Sequence, residues 1–320
     1  MTSYTTSRLI SIGTAVPDRI VTNSDLEEFV DTTDEWITTR TGIRQRRLFA
    51  HDRPGFAWEL GALAGRRALE KAGMSPSEVG GIICATFTPD YFFPSTACKI
   101  QEHLGCKGAF AFDIAAACTG FIYGLAIADA MIRSGQTKNI LLVGAEIISR
   151  TLDWTDRTTC ILFGDAAGAA LLQGSNEKQT GLLSSYISSD GSLGHILSLP
   201  AFGEKRVMKM SGSEVFKNAV RMMSDATLTA LSRASLSLSD IDLLVPHQAN
   251  IRIIKAIAEN LHLPYEKVVS NIDRYGNTSS ASIPLALEEA WDNGRVKPGT
   301  VVAFTALGGG LTVGSAVMRF

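Results

Sequence analysis

The chain of 320 residues has almost no net charge and few charged residues. Lysine and arginine number 30 against 32 aspartates and glutamates, so the formal net charge is −2 at pH 7, and charged residues make up only 19%. Proteins that bind nucleic acid usually present a strong positive field to the phosphates, so this balance excludes general nucleic-acid binding. Hydrophobic residues make up 45%, which is typical of a large globular protein with much buried surface.

Cysteine is scarce as well. The chain has five, at Cys84, Cys98, Cys106, Cys118 and Cys160. Their odd number and the absence of metal-type spacing indicate free thiols in a reducing compartment, and no metal site. Residues 1–8 are polar and contain no apolar signal-peptide region. We therefore expect a cytoplasmic protein.

A membrane-spanning run and a phosphate-binding loop are both missing. The apolar stretch 109–132 contains Asp113 and Asp129, so we predict a strand followed by a buried helix there, and no membrane association. The glycines at 308–310 lack the pattern of a nucleotide-binding loop and precede no helical segment. We predict that these glycines let the backbone approach a ligand closely and donate an N–H to it.

What the chain does have is an internal repeat. Residues 68–79, a helix end and a short loop, lead into the apolar run 81–86, and residues 230–241 lead in the same way into 242–246. A second pair of similar segments is 162–170 and 306–316. We predict two copies of one α/β unit, with domains at 1–174 and 175–320 and mixed or mostly parallel sheets covered by helices.

Three short segments place one reactive group each after an apolar stretch. Cys118 lies at a predicted strand-to-helix junction, where the helix dipole favours the thiolate and the backbone N–H can face an oxyanion. His247 follows a buried strand, and Asn277 lies in a run of small residues before a helix. A nucleophile, a ring that handles or donates protons and a second donor are what acyl transfer needs.

Each residue also has a structural interpretation when taken alone. Free cysteine is commonly a small buried hydrophobe, and local context leaves that alternative open for Cys118. An arbitrary histidine after a strand is a satisfied loop residue, and an asparagine before a helix is a turn or cap. We assign these structural roles to the other cysteines and to His51, His103, His195 and His262.

Taken together, the segments resemble the 3-ketoacyl-acyl-carrier-protein synthase III family, which starts bacterial type II fatty-acid synthesis. The similarity runs nearly end to end and is carried by the motifs at 34–43, 112–118, 163–165, 245–250 and 275–279. The resemblance implies the thiolase fold, α/β in five αβαβα layers built from two related halves. It also implies a homodimer and no cofactor, with coenzyme A entering as the thioester substrate.

The resemblance further implies roles for particular residues. It implies a catalytic triad of Cys118, His247 and Asn277, with an oxyanion site from the N–H groups of Cys118 and Gly309. By the same matching, the coenzyme A contacts are Trp36, Arg40, Arg157 and Asn250, and Phe93 walls the partner's acyl pocket. Lys217 and Arg252 would receive the acidic carrier protein. The implied reaction condenses a short acyl-CoA with malonyl-acyl-carrier protein.

Several alternatives stay open or are set aside. A degradative thiolase needs a second cysteine in its C-terminal half, and no cysteine follows Cys160. A relative from secondary metabolism, which loads an unusual starter or transfers an acyl group to oxygen or nitrogen, remains the main alternative. A non-catalytic acyl-binding protein on the same fold is a third. The sequence does not fix the starter acyl group.

Overall fold

The structure is a computed structural model that describes residues 3–50 and 55–320. His51, to which the sequence assigned a structural role, lies outside the described residues. The strands are β1 (Thr6–Ala15), β2 (Ile20–Thr22), β3 (Gln45–Arg47), β4 (Gly81–Ala85), β5 (Phe110–Ile114), β6 (Asn139–Glu146), β7 (Ala166–Ser175), β8 (Gly181–Ser189), β9 (Leu197–Ser198), β10 (Lys209–Met210), β11 (Leu243–Pro246), β12 (Val301–Gly308) and β13 (Thr312–Arg319).

Helices alternate with these strands, as the sequence predicted. They are α1 (Asn23–Leu26), α2 (Asp34–Thr41), α3 (Ala57–Ala72), α4 (Thr96–Leu104), α5 (Gly120–Arg133), α6 (Gly212–Arg233), α7 (Ile251–Asn260), α8 (Ile272–Tyr275) and α9 (Ser282–Asp292). The stretch 109–132 is divided between β5 and α5. Among residues 3–50 and 55–320, no helix is both long enough and apolar enough to cross a bilayer.

Two larger sheets, of five and four strands, arrange their strands in the same order. In each, the first strand of the half lies at one edge, next to the last strand. The first runs β1-β7-β6-β4-β5, and the second runs β8-β13-β12-β11. In the first, β4 is parallel to β5 and β6 while β7 is antiparallel to both of its neighbours. In the second, β11 is parallel to β12 while β13 is antiparallel to both of its neighbours. In place of a fifth strand, the second sheet has a single parallel bridge between Leu244 and Val268.

Three apolar clusters separate the layers. One lies between α3, α4 and the outer face of the first sheet, and another lies between α6, α7 and the outer face of the second. The third fills the space between the sheets, around α5 and α9. Helix α5 is apolar on nearly every side, as a helix covered by two sheets must be. The order helix, sheet, helix, sheet, helix confirms the five-layered fold.

The repeat found in the sequence corresponds to matching local structure. Helix α3 is followed by a capping box between Ser75 and Glu78 and then by β4, and α6 is followed by a capping box between Ser237 and Asp240 and then by β11. In each box the serine N–H donates to the acidic side chain, at 2.9 and 2.7 Å. The carboxylate satisfies a backbone donor that would otherwise be unpaired.

All strands of the first sheet precede residues 176–180 and all strands of the second sheet follow them, since β7 ends at Ser175 and β8 begins at Gly181. The central cluster nevertheless combines side chains from both sides of that point, such as Phe121 of α5 and Phe304 of β12. Each half therefore relies on the other to cover its inner face. The division into domains at 174 and 175 stays an interpretation of the sequence.

Candidate active site

One cavity brings together the reactive groups that the sequence singled out. Cys118, His247, Asn277 and Gly309 all line a cavity of about 310 Å³. Its remaining walls are mostly apolar: Phe87, Ala117, Leu162, Phe163, Leu197, Ser198, Leu199, Met208, Met210, Gly212, Val215, Phe216, Ala219, Met223, Ala249, Asn250, Ile253 and Leu307. A mostly apolar cavity with a few convergent polar groups is the usual form of a small-molecule site.

The thiol lies on a sharp turn between β5 and α5. Ala117 has a φ of +46°, a conformation that residues other than glycine seldom adopt, and it begins the 3-10 turn Ala117–Thr119. Thr119 Oγ1 donates to the Ala116 carbonyl at 2.5 Å and lies 2.6 Å from Thr312 Oγ1 of β13. These hydroxyl contacts hold the turn against the C-terminal half and fix where Cys118 points.

Burial governs the protonation of Cys118. The residue is 8% exposed, and burial raises the pKa of its thiol to about 12. The Ser279 hydroxyl and the backbone N–H of Cys118 act in the opposite direction, and the Glu146 carboxylate adds to the increase. Desolvation therefore opposes the stabilisation of the thiolate that the sequence predicted from the helix end.

His247 is held at the end of β11. Its backbone N–H donates to the Thr305 carbonyl of β12 at 2.8 Å, and its ring is buried, with 2% of the residue exposed. Nδ1 lies 2.6 Å from Ser282 Oγ, at the first residue of α9. Burial lowers the pKa of His247 to about 3, so the ring is neutral at physiological pH.

Asn277 is fixed by its backbone on both sides. Its N–H donates to the Leu162 carbonyl at 2.8 Å, and its own carbonyl accepts from Gly164 at 3.0 Å. Its side-chain Oδ1 accepts from the N–H of Ser279 at 2.9 Å. Because the oxygen is occupied in this way, the amide group that remains for a ligand in the cavity is the NH₂, a donor.

The glycines after β12 leave room beside the nucleophile. A Cβ at Gly308 would lie 2.8 Å from the backbone nitrogen of Cys118 and 2.9 Å from the Ala116 carbonyl. Any side chain at position 308 would therefore crowd the N–H that the sequence assigned to an oxyanion. Gly309, the second predicted donor, lines the same cavity.

Comparison with known proteins points to one family. Residues 112–191 match the family described as 3-oxoacyl-[acyl-carrier-protein (ACP)] synthase III, and residues 231–320 match its C-terminal family. The beta-ketoacyl-[acyl-carrier-protein] synthase III of Aquifex aeolicus (strain VF5) is 47% identical over 98% of this chain and 99% of its own length. That of Roseiflexus sp. (strain RS-1) is 48% identical over 96% of each chain.

The chain belongs to the 3-oxoacyl-[acyl-carrier-protein] synthase III family. The resemblance found in the motifs is thereby confirmed. The crystal structure of the Aquifex aeolicus synthase superposes with a TM-score of 0.94, covering 98% of this chain and all (100%) of that one. The priming β-ketosynthase of the R1128 polyketide pathway, 34% identical, also has a TM-score of 0.94 and covers 100% of this chain and 98% of its own.

Three of the four predicted coenzyme A residues lie together: Trp36 and Arg40 on α2, and Arg157 in the turns before β7. The guanidinium carbons of Arg40 and Arg157 lie 4.7 and 4.9 Å from the centre of the Trp36 ring. Arg157 Nη1 also donates to the Asp31 carbonyl at 2.7 Å. Trp36 packs on the apolar cluster that contains Leu162, which lines the cavity. Asn250 lines the cavity directly and caps α7.

The remaining predicted residues are exposed and lie outside the cavity lining. Phe93 is 87% exposed, so its suggested role in walling a pocket depends on a partner subunit. Lys217 lies on α6 next to Phe216, and Arg252 lies on α7 next to Ile253. Both of these neighbours line the cavity. Each cation is therefore adjacent in sequence to a lining residue, on one of two helices that pack together.

Sequence reasoning missed three residues near the site, and it did not show how close one of the predicted glycines comes to Cys118. Ser282 contacts the histidine, and Ser279 is buried with its hydroxyl near the thiol, where it acts to lower the thiol's pKa. Gly308, in the predicted glycine run, makes room for the thiol. Glu146, at the end of β6, is buried and accepts hydrogen bonds from Thr88 and Ser280. The serines stand in the small-residue run 278–282, which gave a signal for close packing but not for these partners.

Proposed function

We propose that the protein catalyses the decarboxylative Claisen condensation of a short acyl-CoA with malonyl-acyl-carrier protein. The product is 3-oxoacyl-acyl-carrier protein, which initiates type II fatty-acid synthesis. The observation that carries this proposal is that a cysteine, a histidine and an asparagine line one cavity in a member of this synthase family. The names of its relatives give the ketoacyl group and its carrier protein. The resemblance found in the motifs implies acyl-CoA and malonyl-carrier protein as the two substrates, and the protein acts as an acyltransferase.

In the first half-reaction, Cys118 Sγ attacks the acyl-CoA thioester carbon. The S–H bond of Cys118 is replaced by an S–acyl bond, the carbon–sulfur bond to coenzyme A breaks, and the proton ends on the departing coenzyme A sulfur. The carbonyl oxygen carries the negative charge on the way. We assign its stabilisation to the N–H groups of Cys118 and Gly309, at the start of α5 and after β12.

In the second half-reaction, malonyl-carrier protein loses carbon dioxide. The electron pair of the breaking C–C bond moves into an enolate, whose oxygen accepts hydrogen bonds from His247 and Asn277. Both side chains are uncharged donors in this role, which suits a buried cavity where an extra ion would be costly. The enolate carbon then attacks the acyl group, and Cys118 leaves as thiolate. It takes a proton from solvent, which balances the proton that left with coenzyme A.

No metal or redox step is required, because the release of carbon dioxide drives carbon–carbon bond formation. We assign no cofactor to the protein for that reason; coenzyme A is a substrate and a product. We also propose that the protein is a cytoplasmic homodimer. The exposed Phe93 supports the dimer, because a large apolar side chain so open to solvent is suited to burial against another subunit.

Two sets of cations would receive the substrates. Arg40, Arg157 and Trp36 suit the nucleotide end of coenzyme A, with rings and positive charge together. Lys217 and Arg252 suit an acidic carrier protein, and their effect would be on association more than on chemistry. The pantetheine arm would follow the apolar wall of the cavity, past Asn250.

A second candidate is a priming role in secondary metabolism. It is favoured by the likeness in both sequence and fold to the priming β-ketosynthase of the R1128 polyketide pathway. The chemistry at Cys118 would be unchanged, and the starter acyl group would differ. Products decide between the two functions.

The experiment is to incubate the protein with a panel of acyl-CoAs and malonyl-carrier protein and to identify the products by mass. We expect a 3-oxoacyl-carrier protein from short starters, and none from Cys118→Ala. Preference for an unusual starter would support the second candidate. Condensation by Cys118→Ala at the parent rate would show that the mechanism is not covalent.

A further inference from the structure

Ser282 is the only described residue whose side chain contacts the ring of His247 by a hydrogen bond. It is the first residue of α9, is 1% exposed, and its Oγ lies 2.6 Å from His247 Nδ1. Either atom can donate in such a pair, since a neutral imidazole carries its proton on one nitrogen or the other. The surroundings of the hydroxyl decide which one does.

Ser282 Oγ also accepts a hydrogen bond, from the backbone N–H of Gln248 at 3.4 Å. Within residues 3–50 and 55–320, no group other than His247 Nδ1 accepts the hydroxyl proton. If Nδ1 were protonated and donated to Oγ, the buried hydroxyl proton would have no acceptor. Leaving a buried donor unsatisfied is unfavourable, so Ser282 donates and Nδ1 accepts.

The ring carries a single proton. It is buried, and the factor that lowers its pKa is desolvation, with no carboxylate acting on it. A neutral ring whose Nδ1 accepts must hold its proton on Nε2. His247 lines the cavity, and Nε2 is the ring nitrogen that Ser282 does not contact. Nε2–H is therefore the hydrogen-bond donor available to a ligand in the cavity.

We propose that Ser282 is a positioning residue that fixes His247 in the Nε2–H tautomer and so makes it the hydrogen-bond donor to the malonyl-derived enolate. The inference about the enolate rests on the proposed function, whereas the tautomer is a property of the protein alone. In the other tautomer, Nε2 would present a lone pair to a negatively charged oxygen and would repel it.

The choice of a hydroxyl as partner also defines what the ring does not do. A carboxylate on Nδ1 would stabilise an imidazolium and make the ring a base. A neutral hydroxyl offers no such stabilisation, so His247 is a donor and does not take up the proton of Cys118. The acylation and decarboxylation steps therefore depend differently on Ser282.

The first test reads the tautomer directly by ¹⁵N NMR of histidine-labelled protein without substrate. The five histidines are distinguished by subtracting the spectrum of a His247→Gln variant. We expect an unprotonated Nδ1 at His247 in the parent protein and partial Nδ1 protonation in Ser282→Ala. A protonated Nδ1 in the parent, or an unchanged ring in Ser282→Ala, would overturn the proposal.

The matched control is Ser315→Ala. Ser315 is a buried serine of β13 whose Oγ donates to the Phe304 carbonyl at 2.7 Å, so this variant removes a buried serine hydroxyl and its donated hydrogen bond but touches no histidine. We expect it to leave the His247 spectrum as in the parent. Ser282→Thr, which keeps a hydroxyl, should restore the parent spectrum if the ring responds to the hydrogen bond.

The second test separates the half-reactions. For Ser282→Ala we expect malonyl decarboxylation to fall about tenfold, while the burst of coenzyme A released on acylation of Cys118 is unchanged. Equal losses in both steps would show a merely structural role and would refute the proposal. If the protein does not condense these substrates at all, the proposed function fails but the NMR result still stands or falls by itself.

Discussion

The two halves of the molecule build the same turn and use it differently. In the N-terminal half, Ala117 with φ +46° opens a 3-10 turn that leads into α5. In the C-terminal half, Ser279 with φ +51° opens a 3-10 turn that leads into α9. The second residue of the first turn is Cys118, and the second residue of the other is Ser280.

What differs is the last residue of the neighbouring strand. Beside Cys118, β12 ends at Gly308, which leaves the nucleophile open to the cavity. Beside Ser280, β6 ends at Glu146, whose carboxylate accepts from Ser280 Oγ at 3.0 Å and from Thr88 Oγ1 at 2.7 Å. The turn itself therefore does not make a reactive site; the space beside it does.

The largest effect is expected from moving the thiol between the turns. In the double variant Cys118→Ala with Ser280→Cys, we expect no acylation, because the Glu146 carboxylate occupies the space that a thioester would need. The measurement is the mass of the intact protein after treatment with acyl-CoA. Ser280→Cys alone should gain one acyl group, on Cys118. An acyl group at position 280 would contradict the comparison.

The next largest effect is expected from closing the open turn. Gly308→Ala places a methyl group against the backbone nitrogen of Cys118. Loss of one oxyanion donor should slow acylation on the order of 10²–10³-fold. The rate of coenzyme A release in the first turnover measures it. Gly191→Ala, on an exposed glycine with nothing near its Cβ, is the control and should match the parent.

A smaller effect is expected on the pH dependence of stability. It depends on Glu146, whose carboxylate contacts Ser280 in the turn Ser279–Ala281. Burial raises its pKa to about 7 from the usual 4.5. Between these values the folded protein holds a proton that the unfolded chain has released, so the free energy of unfolding falls as pH rises. In Glu146→Gln we expect this fall, between pH 5 and 7.5, to shrink by about 2–3 kcal/mol.

Urea unfolding at the two pH values measures the change. Glu204→Gln, on an exposed side chain of the loop between β9 and β10, is the control and should keep the parent's pH dependence. The same slope in Glu146→Gln and the parent would mean that the carboxylate does not hold a proton in the fold.

The smallest effects are expected at the exposed arginines proposed to receive the substrates, where the two halves also differ. Arg157 belongs to the N-terminal half and stacks on Trp36, so Arg157→Ala should raise the KM for acyl-CoA about three- to tenfold with kcat unchanged. Arg252 belongs to the other half, and Arg252→Ala should raise only the KM for malonyl-carrier protein. Arg233→Ala, which removes a similar arginine–ring contact with Tyr186, should change neither.

The sequence predicted the repeated segments and the position of the thiol, but it did not predict the protonation of the thiol or the contacts between distant residues. The repeated segments and the position of Cys118 before α5 follow from local patterns, which apolar periodicity and turn residues record. The protonation of Cys118 did not follow, because it depends on how deeply the folded chain buries the thiol. The contact of Ser282 with His247 joins residues 35 positions apart, and that of Glu146 with Ser280 joins residues 134 positions apart. No local pattern encodes such pairs.

The hydroxyl contact between Thr119 and Thr312 has a consequence for the growing chain. These residues are 193 positions apart, and α5 also packs on β13. A ribosome must therefore synthesise the chain at least as far as Thr312 before this hydroxyl contact can hold the turn that carries the sulfur. An incomplete chain carries the thiol but not the arrangement that would direct it at a thioester, so premature acylation by cellular acyl-CoA is disfavoured.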